Sequence, residues 1–321
     1  MADATTSPDR VQPARRRSTR SIVVGFIRLS KLNVYQHYYG LVLAWLMVPA
    51  AALHRPGVTA AMLLFLVSQV GVVACTCAAD DLTGYRNGSD AANYKPGDLG
   101  RNYRTKPLLT GVLTERDVVA FVAASAAVAV AAGLAGFTVL GWHVPPAAVL
   151  VYVASLATTQ YSAGLRISYV PAGTEILLCL ETAAGLLYPY LAVARQSSAT
   201  AVIVALILGM WLVMVSTYSN VKDAAGDAAV GRRTLATLGP AVYKTAMVVF
   251  YLTYLGLTFA LALATNWPWW TLLTLLPVTT MRTVQMYEGP VRNRWLLARK
   301  IGFLSYDAGF LGLLIPAVII R

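Results

Sequence analysis

Apolar residues run along this chain in long blocks, not in alternation. A helix needs about 20 apolar residues to cross a hydrocarbon core. Nine blocks approach that length: 34–53, 58–79, 117–141, 145–163, 172–194, 199–219, 241–265, 268–284 and 302–320. The two-residue period of a transmembrane strand is missing, so a β-barrel is not expected. The pattern predicts an all-α, polytopic membrane protein with nine transmembrane helices around a central cavity. Segment 21–31 mixes apolar and basic positions and reads as a short interfacial helix leading into the first span. Residues 1–20 are polar and basic, with Arg15, Arg16 and Arg17 in a row, and read as a disordered tail. Residues 21–321 then form one transmembrane domain.

Composition agrees with the blocks. The chain is 57% hydrophobic and 12% charged, with a mean hydropathy of +0.61. A soluble domain carries about 25% charged residues. Charge also gives an orientation. With the N-terminus in the cytoplasm and one crossing per block, only Arg55, Arg195 and Arg321 of the 26 Lys and Arg residues fall on the far side. That is a strong positive-inside pattern for a multi-pass protein of the cell membrane. The net charge of +12 then faces anionic lipid head groups of the bilayer, and no nucleic-acid partner is expected. Cys75, Cys77 and Cys179 all lie in apolar blocks and read as packing residues.

Carboxylates change the picture. The chain has 14 acidic residues, and five of them fall in two places. Asp80, Asp81 and Asp90 follow the second block; Asp223 and Asp227 follow the sixth. Both groups emerge on the cytoplasmic side, where the central cavity is expected to open. Carboxylates gathered at a membrane boundary repel one another unless a cation sits between them, which points to magnesium and a phosphorylated substrate. Asp223 and Asp227 are four apart, on one face of a helix. Asp81 and Asp90 would lie on opposite sides of a straight helix. They converge only if the chain bends, and Gly84 and the Asn87-Gly88 turn pair lie between them. All five aspartates are metal-ligand candidates. Basic residues accompany both groups: Arg86, Lys95, Arg101, Arg104 and Lys106 in the first, Lys222, Arg232 and Arg233 in the second. Arg86, Lys106, Lys222 and Arg232 are the candidates for holding a diphosphate. Charged loop residues are commonly just solvated. Two acidic groups on one side, one with D-x-x-x-D spacing, argue for more. A diphosphate head would sit here with its apolar tail among the helices.

These residues resemble the motifs of the UbiA superfamily of intramembrane prenyltransferases, most closely the naphthoate prenyltransferases of menaquinone synthesis. The first motif of that branch, N-D-x-x-D-x-x-x-G-x-D, aligns with Asp80-Asp81-Leu82-Thr83-Gly84-Tyr85-Arg86-Asn87-Gly88-Ser89-Asp90. The second, N-x-[RK]-D-x-x-x-D-x-x-x-G-[RK]-[RK]-T-L, has Asn220, Lys222, Asp223, Asp227, Gly231, Arg232, Arg233, Thr234 and Leu235 in register. A third stretch fits at Tyr161-Ser162-Ala163-Gly164, Tyr169 and Gly173-Thr174-Glu175, and Lys106 to Gly111 is similar to the loop before the third span. The resemblance covers roughly residues 25–320 and implies nine helices and magnesium-assisted loss of diphosphate from a prenyl diphosphate. An aromatic carbon of an acceptor would then attack. It departs from the pattern twice. Asp80 stands where the family has Asn, and Gly84 where it has its middle Asp. This favours a specialised enzyme with an unusual acceptor, or one with none.

Other polar positions lie inside the apolar blocks. Glu175 and Glu181 lie in the fifth block and Asp307 in the ninth. Intramembrane acids are costly and tend to face a cavity or a partner. Glu181 is a candidate to orient an acceptor hydroxyl, act as a base or steady a cation, or equally to make an interhelical hydrogen bond in its protonated form, and it joins Asp81 and Asp223 as a catalytic candidate. Asp307 is expected to pair with a cation such as Lys300. Asn33, Tyr35, His37 and Tyr38 open the first span, as an interfacial belt or as acceptor contacts. Asn33, Tyr161, Glu175 and Asn220 are the acceptor and cavity candidates. The leading expectation is an aromatic prenyltransferase. The rival is a membrane terpene cyclase that needs no acceptor. A transporter or lipid-binding protein is remote, because its charges would belong at the midplane.

Overall fold

The computed structural model describes residues 18–95, 97 and 102–320. The expected tail up to residue 17, and Arg101, lie outside the described residues. Residues 18–20, assigned to that tail, instead start a helix. Ser18 caps α1 (Thr19–Leu29) by accepting from the Ser21 amide at 3.2 Å. A 3-10 turn (Tyr35–Tyr38) leads into α2 (Tyr39–Met47) and the single turn α3 (Ala50–Leu53). Next come α4 (Val58–Arg86), α5 (Ser89–Asn93), α6 (Glu115–Val139) and α7 (Pro146–Ala157). The rest is α8 (Gly173–Ala194), α9 (Ala199–Ala229), α10 (Pro240–Leu263), α11 (Thr271–Met286) and α12 (Trp295–Ile319). The described residues form helices and connecting turns, with no strand among them.

Six of these helices, α4, α6, α8, α9, α10 and α12, are long and apolar enough to cross a membrane. Three of the nine expected spans have no single helix of that length among the described residues. The first is broken because Pro49 forces Val48 into an extended conformation (ψ 133°) between α2 and α3. The fourth is carried by the short α7, which starts on Pro146 and turns 3-10 at Thr158. The eighth is α11, 16 residues long, beginning only after the Trp-Pro-Trp-Trp segment and passing into a π-turn at Tyr287.

Helix lengths position the site. At 1.5 Å per residue, α4 with 29 residues and α9 with 31 are each about 45 Å long. A hydrocarbon core is about 30 Å thick. Both helices are therefore longer than the core is thick, and the aspartates lie near or just beyond their C-terminal ends. The two helices reach the same end by different packing. Gly71 brings α4 against the backbone of α6, where an added Cβ would meet the Ala129 nitrogen at 2.7 Å. Farther in, Phe65, Phe137, Tyr152 and Tyr188 interlock edge to face. Trp211 of α9 packs edge-on against Tyr306 of α12, whose Gly309 clears space for the indole.

Arg282 lies differently from the sequence expectation. The topology placed it at the cytoplasmic end of a span. It is fully buried in α11, donating to Gln285 Oε1 (2.8 Å) and the Trp211 carbonyl (3.3 Å).

Candidate active site

The first acidic motif rides on the end of α4. The helix continues through Arg86, so Asp80 and Asp81 are helical neighbours pointing about 100° apart. The chain then reverses at Gly88, which takes a left-handed conformation (φ 80°) that glycine adopts without cost. The Asn87 side chain accepts from the Ser89 amide and holds the turn. This reversal lays α5 back over α4. Gly84 is no part of the bend. It is the floor on which Asp90 rests, since a Cβ at residue 84 would lie 2.8 Å from the Asp90 carboxyl carbon.

Lys106 closes the first motif. Its ammonium donates to Asp81 Oδ1 at 2.7 Å and lies 2.8 Å from Asp90 Oδ1, above the ring of Tyr94. The side chain is buried, and burial alone would favour its neutral form. The two carboxylates outweigh this and hold the ammonium well above its usual range. One ammonium serves two carboxylates. Burial first, with repulsion from Asp81 partly offsetting the pull of Lys106, pushes the Asp90 carboxyl up to about 6.

Asp80 faces another way. Its carboxylate accepts from Ser162 Oγ (2.6 Å) and from Arg232 Nη2 (2.5 Å), and Arg232 also donates to Ser162 (3.1 Å). This ion pair joins the first motif, the second motif and the 161–175 stretch at one point. Backbone bonds reinforce it. The Arg233 amide donates to the Ser168 carbonyl, and the Ala172 amide to the Arg233 carbonyl. Glu175 Oε1 accepts from the Leu235 amide at 3.1 Å. The Tyr169 amide donates to the Arg166 carbonyl at 2.9 Å, its hydroxyl accepts from Asn87 and its ring lies under the Arg166 guanidinium. Arg232→Ala would leave Asp80 partly buried without its cation. The expected loss is about 3 kcal/mol of stability, read as a lower unfolding temperature in detergent. Arg232→Lys should recover only part of it, since one ammonium does not match the guanidinium fork.

The second motif stays helical. α9 runs through both Asp223 and Asp227, one turn apart, with Asp227 buried. Gly226 lies between them and touches α5: an added Cβ would meet the Asn93 amide oxygen. The close approach seats the second motif against the fold-back of the first.

Other candidates fall elsewhere. Arg86, expected at a diphosphate, is exposed and pairs with Glu115 at 2.7 Å. Its position at the last turn of α4 turns it toward the start of α6. Lys222 is exposed and lines a groove of about 550 Å³ with Tyr218, Arg294, Trp295 and Arg299. Asn33 is exposed, in the turn between α1 and α2. Asp80 and Arg232, expected at metal and diphosphate respectively, hold each other. Tyr161 accepts from Thr174 Oγ1 (3.3 Å). Asn220 Nδ2 is buried without a hydrogen-bond partner. Asp307 does not pair with Lys300. Its carboxylate accepts from Tyr39 (2.9 Å), Gln36 (3.1 Å) and Tyr35 (3.4 Å), three residues of the first span that lie beside α12.

One group lies well inside the bundle. Glu181 Oε1 accepts from Gln69 Nε2 at 2.6 Å, and Glu181 Oε2 lies 3.2 Å from His37 Nδ1. His37, read from the sequence as one of a set opening the first span, thus reaches across to α8.

The donor set fits magnesium as a shared ion. Its carboxylates are hard oxygen ligands, and Asp81 and Asp90 already hold a cation between them. Among the described residues no three acidic, His or Cys side chains converge into a closed metal cluster. Magnesium is commonly held by one or two carboxylates together with substrate phosphates, which is what two separated acidic groups provide.

Comparison with known proteins places this geometry. Residues 40–305 match a family model described as the UbiA prenyltransferase family. No curated protein matches by sequence. Among solved structures, the fold is similar to that of a UbiA homolog from Archaeoglobus fulgidus bound to DMAPP and Mg2+. The identity is 14%, over 91% of this chain and 99% of that one, with a TM-score of 0.61. It is also similar to the apo UbiA homolog from Aeropyrum pernix K1, at 15% identity over 89% and 98% of the two chains and a TM-score of 0.63. A structure described for digeranylgeranylglyceryl phosphate synthase is 15% identical over 93% and 99%, with a TM-score of 0.65.

Proposed function

The chain belongs to the UbiA prenyltransferase family, and from that premise we propose that it transfers a prenyl group from a prenyl diphosphate to an aromatic acceptor, with magnesium, at the cytoplasmic face of the membrane. The observation that carries this reading is the junction at Asp80, Ser162 and Arg232, which ties residues 152 apart in sequence, one from each motif, onto one end of the bundle. The solved homolog with DMAPP and Mg2+ supports the choice of ligands, and the match of Asn220 to Leu235 to the naphthoate branch supports an aromatic acceptor.

In this reading Asp81, Asp90, Asp223 and Asp227 hold the metal. Magnesium, when bound, neutralises the diphosphate and makes it a better leaving group. Lys106 lies between Asp81 and Asp90 and is placed to exchange carboxylates for phosphate oxygens as substrate enters. Asp80 and Arg232 fix the two motifs relative to one another. The apolar interior below receives the tail and excludes water from the allylic cation after the C–O bond breaks. The acceptor carbon then forms the new C–C bond, and the proton its ring gives up passes to the released diphosphate.

The test is an incubation of the purified protein with geranyl, farnesyl and geranylgeranyl diphosphates, with and without a panel of arenes. Magnesium-dependent diphosphate release that requires an arene, with a product of summed mass, is the expected result. A hydrocarbon or terpene alcohol formed without arene would make the protein a cyclase instead. No release in either condition would overturn both.

A further inference from the structure

The groove that holds Lys222 is turned away from the aspartates. Around α9, Lys222 stands about 100° from Asp223 and about 140° from Asp227, and Tyr218 about 180° from Asp227. The other wall of the groove comes from residues 293–299, at the start of α12. Among the described residues no acidic side chain lines it. It therefore offers no ligand to the magnesium that accompanies a diphosphate.

The lining has two characters. Trp295, Leu296 and Leu297 are apolar; Lys222, Arg294 and Arg299 are cationic. Trp295 is a fixed wall, packed against Tyr218 and Tyr243 with ring centroids at 5.9 and 5.0 Å. Arg299 is held across the groove, its Nε donating to Ser219 Oγ of α9 at 2.7 Å. Arg294 reaches Glu288 at 3.3 Å, yet its side chain stays more than half exposed. Leu296 and Leu297 are exposed beside it. Depth along the helix fits a lipid boundary. The ninth apolar block begins at residue 302, so Arg299 and Trp295 stand about 5–10 Å before it along α12. Lipid phosphates occupy a layer of about that depth outside the hydrocarbon.

We infer that this groove binds the head group of one anionic phospholipid. Its phosphodiester would lie among Lys222, Arg294 and Arg299, and the first carbons of an acyl chain along Leu296 and Leu297. Charge complementarity selects an anion, and the apolar surface beside it selects an anion with a tail. The lipid would bridge the end of α9 and the start of α12 and stabilise that junction. Such binding is independent of the reaction at the aspartates.

Purified protein in dodecyl maltoside would be titrated with dioctanoyl phosphatidylglycerol. Bound lipid is read by native mass spectrometry, with the unfolding temperature in parallel. A single saturable lipid and a rise in unfolding temperature are expected. Dioctanoyl phosphatidylcholine has the same tails and no net charge; inorganic phosphate has charge and no tail. Each should bind at least about tenfold more weakly. Arg294→Gln should weaken phosphatidylglycerol binding about tenfold, and Arg294→Gln with Arg299→Gln about a hundredfold. Glu288 keeps Arg292 at 3.4 Å, so the single variant should fold as wild type does. Arg294→Lys should recover part of the loss, since it keeps the charge without the guanidinium fork. Arg292→Gln is the control for surface charge at large. It removes an exposed cation outside the lining and should change binding less than about threefold. Equal binding of phosphatidylcholine or phosphate, an equal loss in Arg292→Gln, or unchanged binding in the double variant overturns the site. Displacement of phosphatidylglycerol by an equal concentration of geranyl diphosphate would make the groove a substrate site and also overturn it. Turnover is read in none of these arms, so failure of the transferase reading would leave the lipid result standing.

Discussion

Asp223→Ala is expected to lower turnover of any prenyl diphosphate by about a thousandfold while the protein remains folded. Asp223 lies only half-buried near the C-terminal end of α9, so removing its side chain opens no large cavity. Its effect should fall on the metal. In an arrangement where few carboxylates and the substrate share the ion, loss of one carboxylate removes a full charge from the ion's surroundings and a ligand from its shell. Asp227, one turn on, cannot move into its place because Gly226 fixes this turn against Asn93. The measurement is diphosphate release against magnesium concentration, with the unfolding temperature recorded in parallel. The variant should show both a lower ceiling and a weaker dependence on magnesium. Full activity with normal magnesium dependence would remove Asp223 from the site.

The contrast between what the sequence revealed and what it hid follows from how far apart the partners are. D-x-x-x-D is a local pattern, and α9 carries it as the helical period predicts. The turn at Asn87-Gly88 was equally legible, because its chemistry lies in two adjacent residues. The membrane blocks were legible by composition, but their number did not carry over into helices of full length. Pro49 and the short α7 and α11 interrupt three of them, and summed hydropathy is blind to where the backbone can stay helical. The hidden features are all pairings of distant residues. Asp80 with Arg232, Lys106 with Asp81, and His37 with Glu181 each join elements that no periodicity relates. Asp307 departs from expectation for the same reason: Lys300 is near in sequence, whereas Tyr39 and Gln36 are near only in the folded bundle. Glycine commonly marks a bend, and the sequence of the first motif offers Gly84 as one. Its use here is space, which depends on where Asp90 comes to rest.

That use of Gly84 leads to a result opposite to a motif-based expectation. The related branch has an aspartate at this position, so Gly84→Asp would be thought to restore a metal ligand and raise activity. The structure predicts a loss of about 10- to 100-fold. A Cβ at 84 would lie 2.8 Å from the Asp90 carboxyl carbon and within 3.0 Å of both its oxygens. Such overpacking costs about 1–3 kcal/mol. The new carboxylate would also stand beside Asp90, already pushed up to about 6 chiefly by burial, and would drive it further toward the protonated form. The Asp90 carboxylate would have to swing aside, away from Lys106. Gly84→Ala separates the two effects. Alanine in a helix interior ordinarily stabilises by roughly 0.5–1 kcal/mol relative to glycine; here the contact with Asp90 should cancel that gain and lower activity a few-fold, at about the low end of the overpacking range. Gly84→Asp combined with Asp90→Gly removes both the clash and the repulsion and should recover activity relative to Gly84→Asp alone. Turnover at saturating magnesium, and the magnesium concentration giving half of it, read all three variants. If Gly84→Asp matches or exceeds wild type, Asp90 is not held against α4, and the first motif is built around the family's aspartate after all.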